Sequence, residues 1–77
     1  MRVTVGILKA KADELGAGGI EAIEEFADEL GLSNLKEIRL DHFKKYGILV
    51  GDIDSIEVAE ENPYVDFVDE VLYKVVS

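Results

Sequence analysis

The 77-residue chain contains no cysteine and one proline, and basic residues are scarce, with 8 lysines and arginines against 17 acids. Without cysteine, neither a disulfide framework nor a thiolate metal site is available. No apolar stretch approaches the length that spans a bilayer. The formal charge of −9 opposes phosphate backbones and anionic lipid head groups, so neither nucleic acid nor a membrane is expected as a partner.

The length of the chain fits one domain, close to the smallest size at which a hydrophobic core is stable without disulfides or a structural metal. The opening Met1-Arg2-Val3-Thr4 has strand character and lacks the organisation of a signal peptide. These features leave the cellular location open.

The first half of the chain changes from a strand pattern to a helix pattern. Val3–Leu8 alternates in the way of a strand with two largely apolar faces. Lys9–Gly19 carries three glycines and is predicted to be a connector. A helical stripe follows, formed by Ile20, Ile23, Phe26, Ala27 and Leu30. Gly31 is predicted to end this helix as a C-cap residue.

The middle of the chain predicts a β-hairpin. Leu35–Phe43 has the pattern of a second strand and Ile48–Val50 that of a third. The segment Lys44–Gly47 between them is predicted to be a turn, which makes the two strands antiparallel. The pair Gly51–Asp52 is predicted to end the third strand.

The last third of the chain predicts a short helix and a final strand. Asp54 with Glu57 resembles a capping box, which would open a helix that buries Ile56 and Ala59. The Asn62–Pro63 pair then breaks the helix, because proline cannot continue it. A strand starts near Val65, and the apolar run that follows is too long for one edge strand. We therefore expect residues 1–70 to be globular and 71–77 to form an extended tail.

The predicted order of strand, helix, strand, strand, helix, strand is that of an α+β domain. It indicates the ferredoxin-like split βαββαβ arrangement, an antiparallel four-stranded sheet with two helices on one face. The other face of the sheet is then left open. An open apolar face on so small a domain indicates that a partner covers it.

No local pattern predicts a catalytic or metal site. His42 would need Ser33 or Ser55 beside it for a catalytic triad, and both serines have the sequence context of helix-flanking residues. Gly16–Gly19 lacks the spacing of a phosphate-binding loop. The acids near Asp52 lack the twelfth-position ligand of a calcium loop. We therefore expect no enzymatic activity, no metal and no cofactor.

Two segments carry specific sequence motifs in addition to the pattern of strands and helices. Val3–Lys9 reads VTVGILK, and Asn62–Glu70 reads NPYVDFVDE. The first is like the hydrophobic IVGFK opening of the propeptides of subtilisin-like serine proteases, and the second resembles their DPSVAYVEED segment. The positions that keep the family's spacing are Pro63, Val65, Phe67, Val68, Asp69 and Glu70. The chain thus resembles these propeptides and the related free-standing peptidase inhibitors over nearly all of its length.

This resemblance implies that the domain binds a subtilisin-like serine protease in two ways. The open sheet face would cover two surface helices of the enzyme, and Asp69 and Glu70 would meet the N-termini of those helices. Such N-termini present unpaired N–H groups and partial positive charge. The tail would lie in the substrate cleft as an added strand that ends beside the catalytic serine. The cleft residues would be Val71, Leu72, Tyr73, Lys74, Val75, Val76 and Ser77.

The resemblance further implies competitive, product-like inhibition and, in the parent enzymes, a role as a folding template. A secreted location would follow if the chain is a protease propeptide. One alternative is the small subunit of formylglycinamidine ribonucleotide synthetase, whose second helix is about twice as long as Asp54–Glu61 can supply. A second alternative is a dimerising or ligand-binding module that uses the open face on itself, since fold does not determine function.

Overall fold

A computed structural model of the chain describes residues 1–40 and 46–71. Within them the elements are β1 (Arg2–Leu8), α1 (Lys9–Leu30), β2 (Leu32–Arg39), β3 (Tyr46–Ile53), α2 (Glu57–Glu61) and β4 (Val65–Glu70). The strands form one sheet in the order β2-β3-β1-β4, and all neighbouring strands are antiparallel. The predicted ferredoxin-like α+β fold is confirmed.

The core lies between the sheet and the two helices. Alternate residues of the central strand β1, namely Val3, Val5 and Ile7, are fully buried. Leu49 of β3 pairs with Val5 and is also fully buried, so both side chains lie on the helix side of the sheet. The helices contribute Ala12, Leu15, Ile23, Phe26, Ala27, Leu30 and Ala59 to the same cluster.

The predicted connector Lys9–Gly19 is wrong, because α1 begins at Lys9 directly after β1. Ala12 and Leu15 are buried against the sheet, and this packing outweighs the low helix propensity of the glycines. Gly19 interrupts the helix with φ 80° and ψ −169°, a conformation that is essentially restricted to glycine. The helix therefore consists of two segments that both follow the sheet.

The second segment of α1 largely follows its predicted stripe. Ile23, Phe26, Ala27 and Leu30 are buried, whereas Ile20 is exposed, so the prediction for Ile20 is wrong. Gly31 ends the helix in the left-handed conformation, and its N–H donates to carbonyl oxygens in the last turn. The predicted C-cap is therefore confirmed.

The hairpin is confirmed as antiparallel, but its strand bounds differ from the prediction. β2 begins at Leu32 rather than Leu35, and its register with β3 shifts between Ser33 and Glu37. β3 starts at Tyr46 and continues through the predicted break at Gly51–Asp52 to Ile53. His42 and the end of the predicted second strand lie in residues 41–45, outside the described residues. The predicted turn is wrong for Tyr46 and Gly47, which belong to β3.

The capping box predicted at Asp54 and Glu57 is wrong, because the N-cap residue of α2 is Ile56 and no side chain caps it. The backbone N–H of Glu57 instead donates to the Ser55 hydroxyl at 3.4 Å. Ala59 is fully buried, as predicted, whereas Ile56 precedes the helix and is only half-buried.

The turn predicted at Asn62–Pro63 is present between α2 and β4. The Asn62 side-chain oxygen accepts a hydrogen bond from the Tyr64 N–H at 2.9 Å, and the Asn62 carbonyl accepts one from the Val65 N–H at 3.1 Å. Lys11 of α1 covers this turn, with its Nζ 4.9 Å from the centroid of the Tyr64 ring. These contacts fix the start of β4 against α1.

Candidate functional site

The face of the sheet opposite the helices is the candidate interaction surface, and we call it the open face. The strand register places on it the residues that alternate with the buried positions. Its members in the three strands β1, β3 and β4 are Thr4, Gly6, Leu8, Tyr46, Ile48, Val50, Phe67 and Asp69. The helices do not cover this surface, and most of its side chains are half-buried or exposed.

An aromatic pair forms the most prominent feature of the open face. Phe67 pairs with Gly6, and its ring lies directly over the glycine, where a Cβ atom would collide with it. The Tyr46 ring meets Phe67 edge to face, with centroids 5.2 Å apart and an interplanar angle of 90°. Gly6 is therefore required for the close approach of Phe67, and the two rings form one apolar surface.

Asp69 and Glu70 stand on different sides of the sheet. Asp69 pairs with Thr4 and so belongs to the open face, whereas Glu70 pairs with the buried Val3 and so occupies a register position of the helix side. Both residues are exposed. A partner lying flat on the open face would meet the carboxylate of Asp69 more directly than that of Glu70.

The described chain ends at Val71, the first residue of the predicted cleft-binding tail. Its N–H donates to the Arg2 carbonyl at 2.8 Å, so Val71 still belongs to the hydrogen-bond ladder with β1. The other predicted cleft residues, 72–77, lie outside the described residues. β4 is an edge strand, so the chain reaches Val71 along one border of the sheet.

A polar network borders the open face where β1 and β3 meet. The Arg2 guanidinium lies 3.2 Å from the Asp52 carboxylate, which also accepts a hydrogen bond from the Asn34 side chain at 3.2 Å. The hydrogen bond from Asn34 lowers the pKa of Asp52, and that from Arg2 acts in the same direction. These contacts favour the ionised form of Asp52, which links three strands through side chains.

The serines considered for a triad have structural partners. The Ser33 hydroxyl donates to the Asp52 carbonyl at 3.4 Å, and the Ser55 hydroxyl accepts from the Glu57 N–H. Among residues 1–40 and 46–71, no group of three histidine or acidic residues is placed to hold a metal ion. No helix in this part of the chain is long and apolar enough to cross a membrane.

Sequence reasoning named the two acids but missed the aromatic pair. Tyr46 was assigned to a turn, and Phe67 was noted only for its spacing in the family motif. The signal that could have found the pair is the glycine inside β1, because a glycine in a strand often marks a close approach of another group. An aromatic residue across from such a glycine is a known means of covering it.

Comparison with known proteins gave no relative: no protein-family model matches the chain, nor does any curated protein or solved structure.

Proposed function

We propose that the chain binds and inhibits a subtilisin-like serine protease, with its open face on two enzyme helices and its C-terminal tail in the substrate cleft. The observation that carries this proposal is the uncovered sheet face, where the Tyr46–Phe67 pair and Asp69 lie on one surface. Aromatic side chains beside a charged group are typical of protein interfaces. The same binding would allow the chain to act as a folding template for the enzyme.

The charge of the site supports a partner with exposed helix N-termini. Asp69 is exposed on the open face, and a helix N-terminus supplies N–H donors and partial positive charge to such a carboxylate. Arg2 and Arg39 occupy register positions of the same face, opposite Asp52 and Ile48, and each lies beside a carboxylate, Asp52 and Glu37 respectively. The formal charge of −9 for the whole chain disfavours an anionic partner.

The tail supports competitive inhibition through its point of attachment. Val71 continues the edge strand β4 and lies at the border of the open face. Residues 72–77 follow this border in the sequence, and we propose that they enter the cleft of a protease seated on the open face. An extended segment that pairs with a cleft as an added strand binds mainly through main-chain hydrogen bonds.

The test is a titration of the chain against a panel of subtilisin-like proteases, with a chromogenic substrate as the readout. We expect competitive inhibition of at least one of them. Deleting Tyr73–Ser77 should abolish the competitive component and leave the circular dichroism spectrum of the domain intact. The proposal would be contradicted if competitive inhibition survived the deletion, or if the full chain inhibited no protease of the panel.

Two substitutions that conserve side-chain size test the role of the acids. Asp69→Asn should weaken inhibition by about 1.5–3 kcal/mol, the range for hydrogen bonds to charged groups, whereas Glu70→Gln should have the smaller effect. The stability of the free domain should change little in either variant, because both residues are exposed. Equal effects would mean that the partner does not lie flat on the open face.

A module that dimerises through the open face is the second candidate, because the same apolar surface would serve it. Analytical ultracentrifugation distinguishes the two, since an inhibitor need not self-associate and a dimerising module must. The enzyme-subunit alternative is less well supported, since α2 has only the five residues Glu57–Glu61.

A further inference from the structure

A second uncovered apolar surface lies on the helix side of the sheet, between α1 and the edge strand β2. It is a groove of about 460 Å³, and we call it the α1–β2 groove. Its lining includes Ile20 and Ala27 from α1 and Leu32, Leu35 and Ile38 from β2. Volumes of this size are typical of sites that accept a ligand or side chains of a partner.

Among residues 1–40 and 46–71 nothing covers the groove, because the sheet ends at β2. Ile20 follows the helix break at Gly19 and lies on the same helical stripe as the buried Ile23, yet it is 57% exposed. Ile38 pairs with Leu49, which puts it on the helix side of the sheet, and it is 38% exposed. Both side chains would be buried if another segment lay beside β2. They are therefore suited to contact a partner.

The charge of the groove selects the kind of partner. The charged residues that line it are Glu24 and Asp28, both on α1, and no lysine or arginine of the described residues does so. Like charge disfavours a second copy of this chain, which has a formal charge of −9. An apolar floor with an acidic rim complements a segment that carries aliphatic or aromatic side chains between basic ones.

We propose that the α1–β2 groove binds a protein segment whose apolar side chains pack on Ile20 and Ile38 and whose basic side chains pair with Glu24 and Asp28. The groove lies on the opposite side of the sheet from the open face. A segment bound in the groove would therefore leave the open face accessible. This proposal does not depend on protease inhibition.

The test uses nuclear magnetic resonance of the ¹⁵N-labelled chain with the blocked peptide KKLKLKK as the probe. We expect chemical-shift changes concentrated at Ile20–Asp28 and Leu32–Ile38. A peptide with serine in place of leucine keeps the charge and should bind at least about fivefold more weakly, because it lacks the apolar anchors. A peptide with glutamate in place of lysine should not bind.

Two matched pairs of variants locate the site. Ile20→Ser should weaken peptide binding about fivefold or more, while Val58→Ser, at a site that is 54% exposed on α2, should leave it unchanged. Glu24→Gln combined with Asp28→Asn should weaken binding and reduce its salt dependence. Glu57→Gln combined with Glu60→Gln removes the same charge from α2 and should do neither.

Three results would overturn the proposal. The first is equal binding of the leucine and serine peptides, which would show only a general attraction to an acidic chain. The second is a set of shifts on the open face rather than in the groove. The third is self-association of the chain that changes the signals of Ile20 and Ile38 without peptide, because a second copy would then be the occupant.

Discussion

The two faces of the sheet differ in how completely their side chains are covered, although the same strands build both. Ile48 and Leu49 are neighbours in β3, yet Leu49 is fully buried under the helices and Ile48 is half-buried on the open face. In β1, Val5 and Thr4 show the same contrast. One face therefore supplies most of the burial that stabilises the domain, and the other is available to a partner.

This division assigns stability and binding to different residues of the same strand. Burial of apolar surface contributes about 25 cal/mol per Å², so the covered face carries the larger share of the folding free energy. Truncating an apolar side chain on the open face should therefore lower the free energy of unfolding only modestly. Variants of the two faces should therefore separate the stability of the chain from its binding.

The largest expected effect comes from the neighbouring residues Leu49 and Ile48. Leu49→Ala should lower the free energy of unfolding by about 2–5 kcal/mol, because it leaves a cavity in the core. Ile48→Ala should lower it by about 1 kcal/mol, because its side chain is only partly removed from water. Urea denaturation of both variants measures the difference. Equal losses would mean that the two faces are equally covered.

A smaller loss is expected from Gly6→Ala on the open face. The added Cβ would collide with the Phe67 ring, and overpacking of this kind costs about 1–3 kcal/mol. The double variant Gly6→Ala with Phe67→Leu should lose less unfolding free energy than the sum of the two single variants. The reason is that leucine lacks the ring above Gly6 and so makes room for the added Cβ atom. Simple additivity in urea denaturation would show that the ring does not lie over Gly6.

The smallest effect is expected at Asp52, on the border of the open face. Hydrogen bonds from Asn34 and then Arg2 lower the pKa of Asp52 below the ordinary 3.8. A carboxyl with a lowered folded pKa stabilises the fold above its unfolded pKa and loses this contribution as pH falls through the folded value. The Tm of the chain should therefore exceed that of Asp52→Asn at pH 7 and approach it in acid. A Tm difference independent of pH would contradict this network.

The order of the elements could be predicted from the sequence because hydrophobic periodicity carries it. The predicted stripe from Ile20 to Leu30, which is buried except for Ile20, and the glycine at 31 defined the second half of α1. Asn62–Pro63 marked the start of β4. The element bounds were less accurate where glycine was taken as a sign of a loop. Gly16 and Gly18 lie in α1 because the neighbouring Leu15 is buried in the core, whereas Gly19 does interrupt the helix.

The same limitation explains the predicted break at Gly51. A Cβ atom there would lie 2.9 Å from the Ser33 carbonyl oxygen of β2, so the glycine allows the two strands to approach. Asp52 stays in the strand because its partners Arg2 and Asn34 come from distant parts of the chain. Neither contact can be predicted from the neighbouring residues in the sequence.

For the candidate site, the sequence indicated the acids of β4. The aromatic pair could not be predicted in the same way, because it depends on the register between strands that are distant in the sequence.

The most direct test of the account is protease inhibition by Thr4→Arg and Val58→Arg. Thr4 lies in the open face between Val50 and Asp69, whereas Val58 lies on α2 on the other side of the sheet, and both changes add the same charge. Inhibition constants against a sensitive subtilisin-like protease would be measured after both variants are shown to be folded. We predict that Thr4→Arg raises the constant about tenfold or more, the loss expected at the centre of an interface, and that Val58→Arg leaves it unchanged. Equal constants for the two variants would contradict binding through the open face.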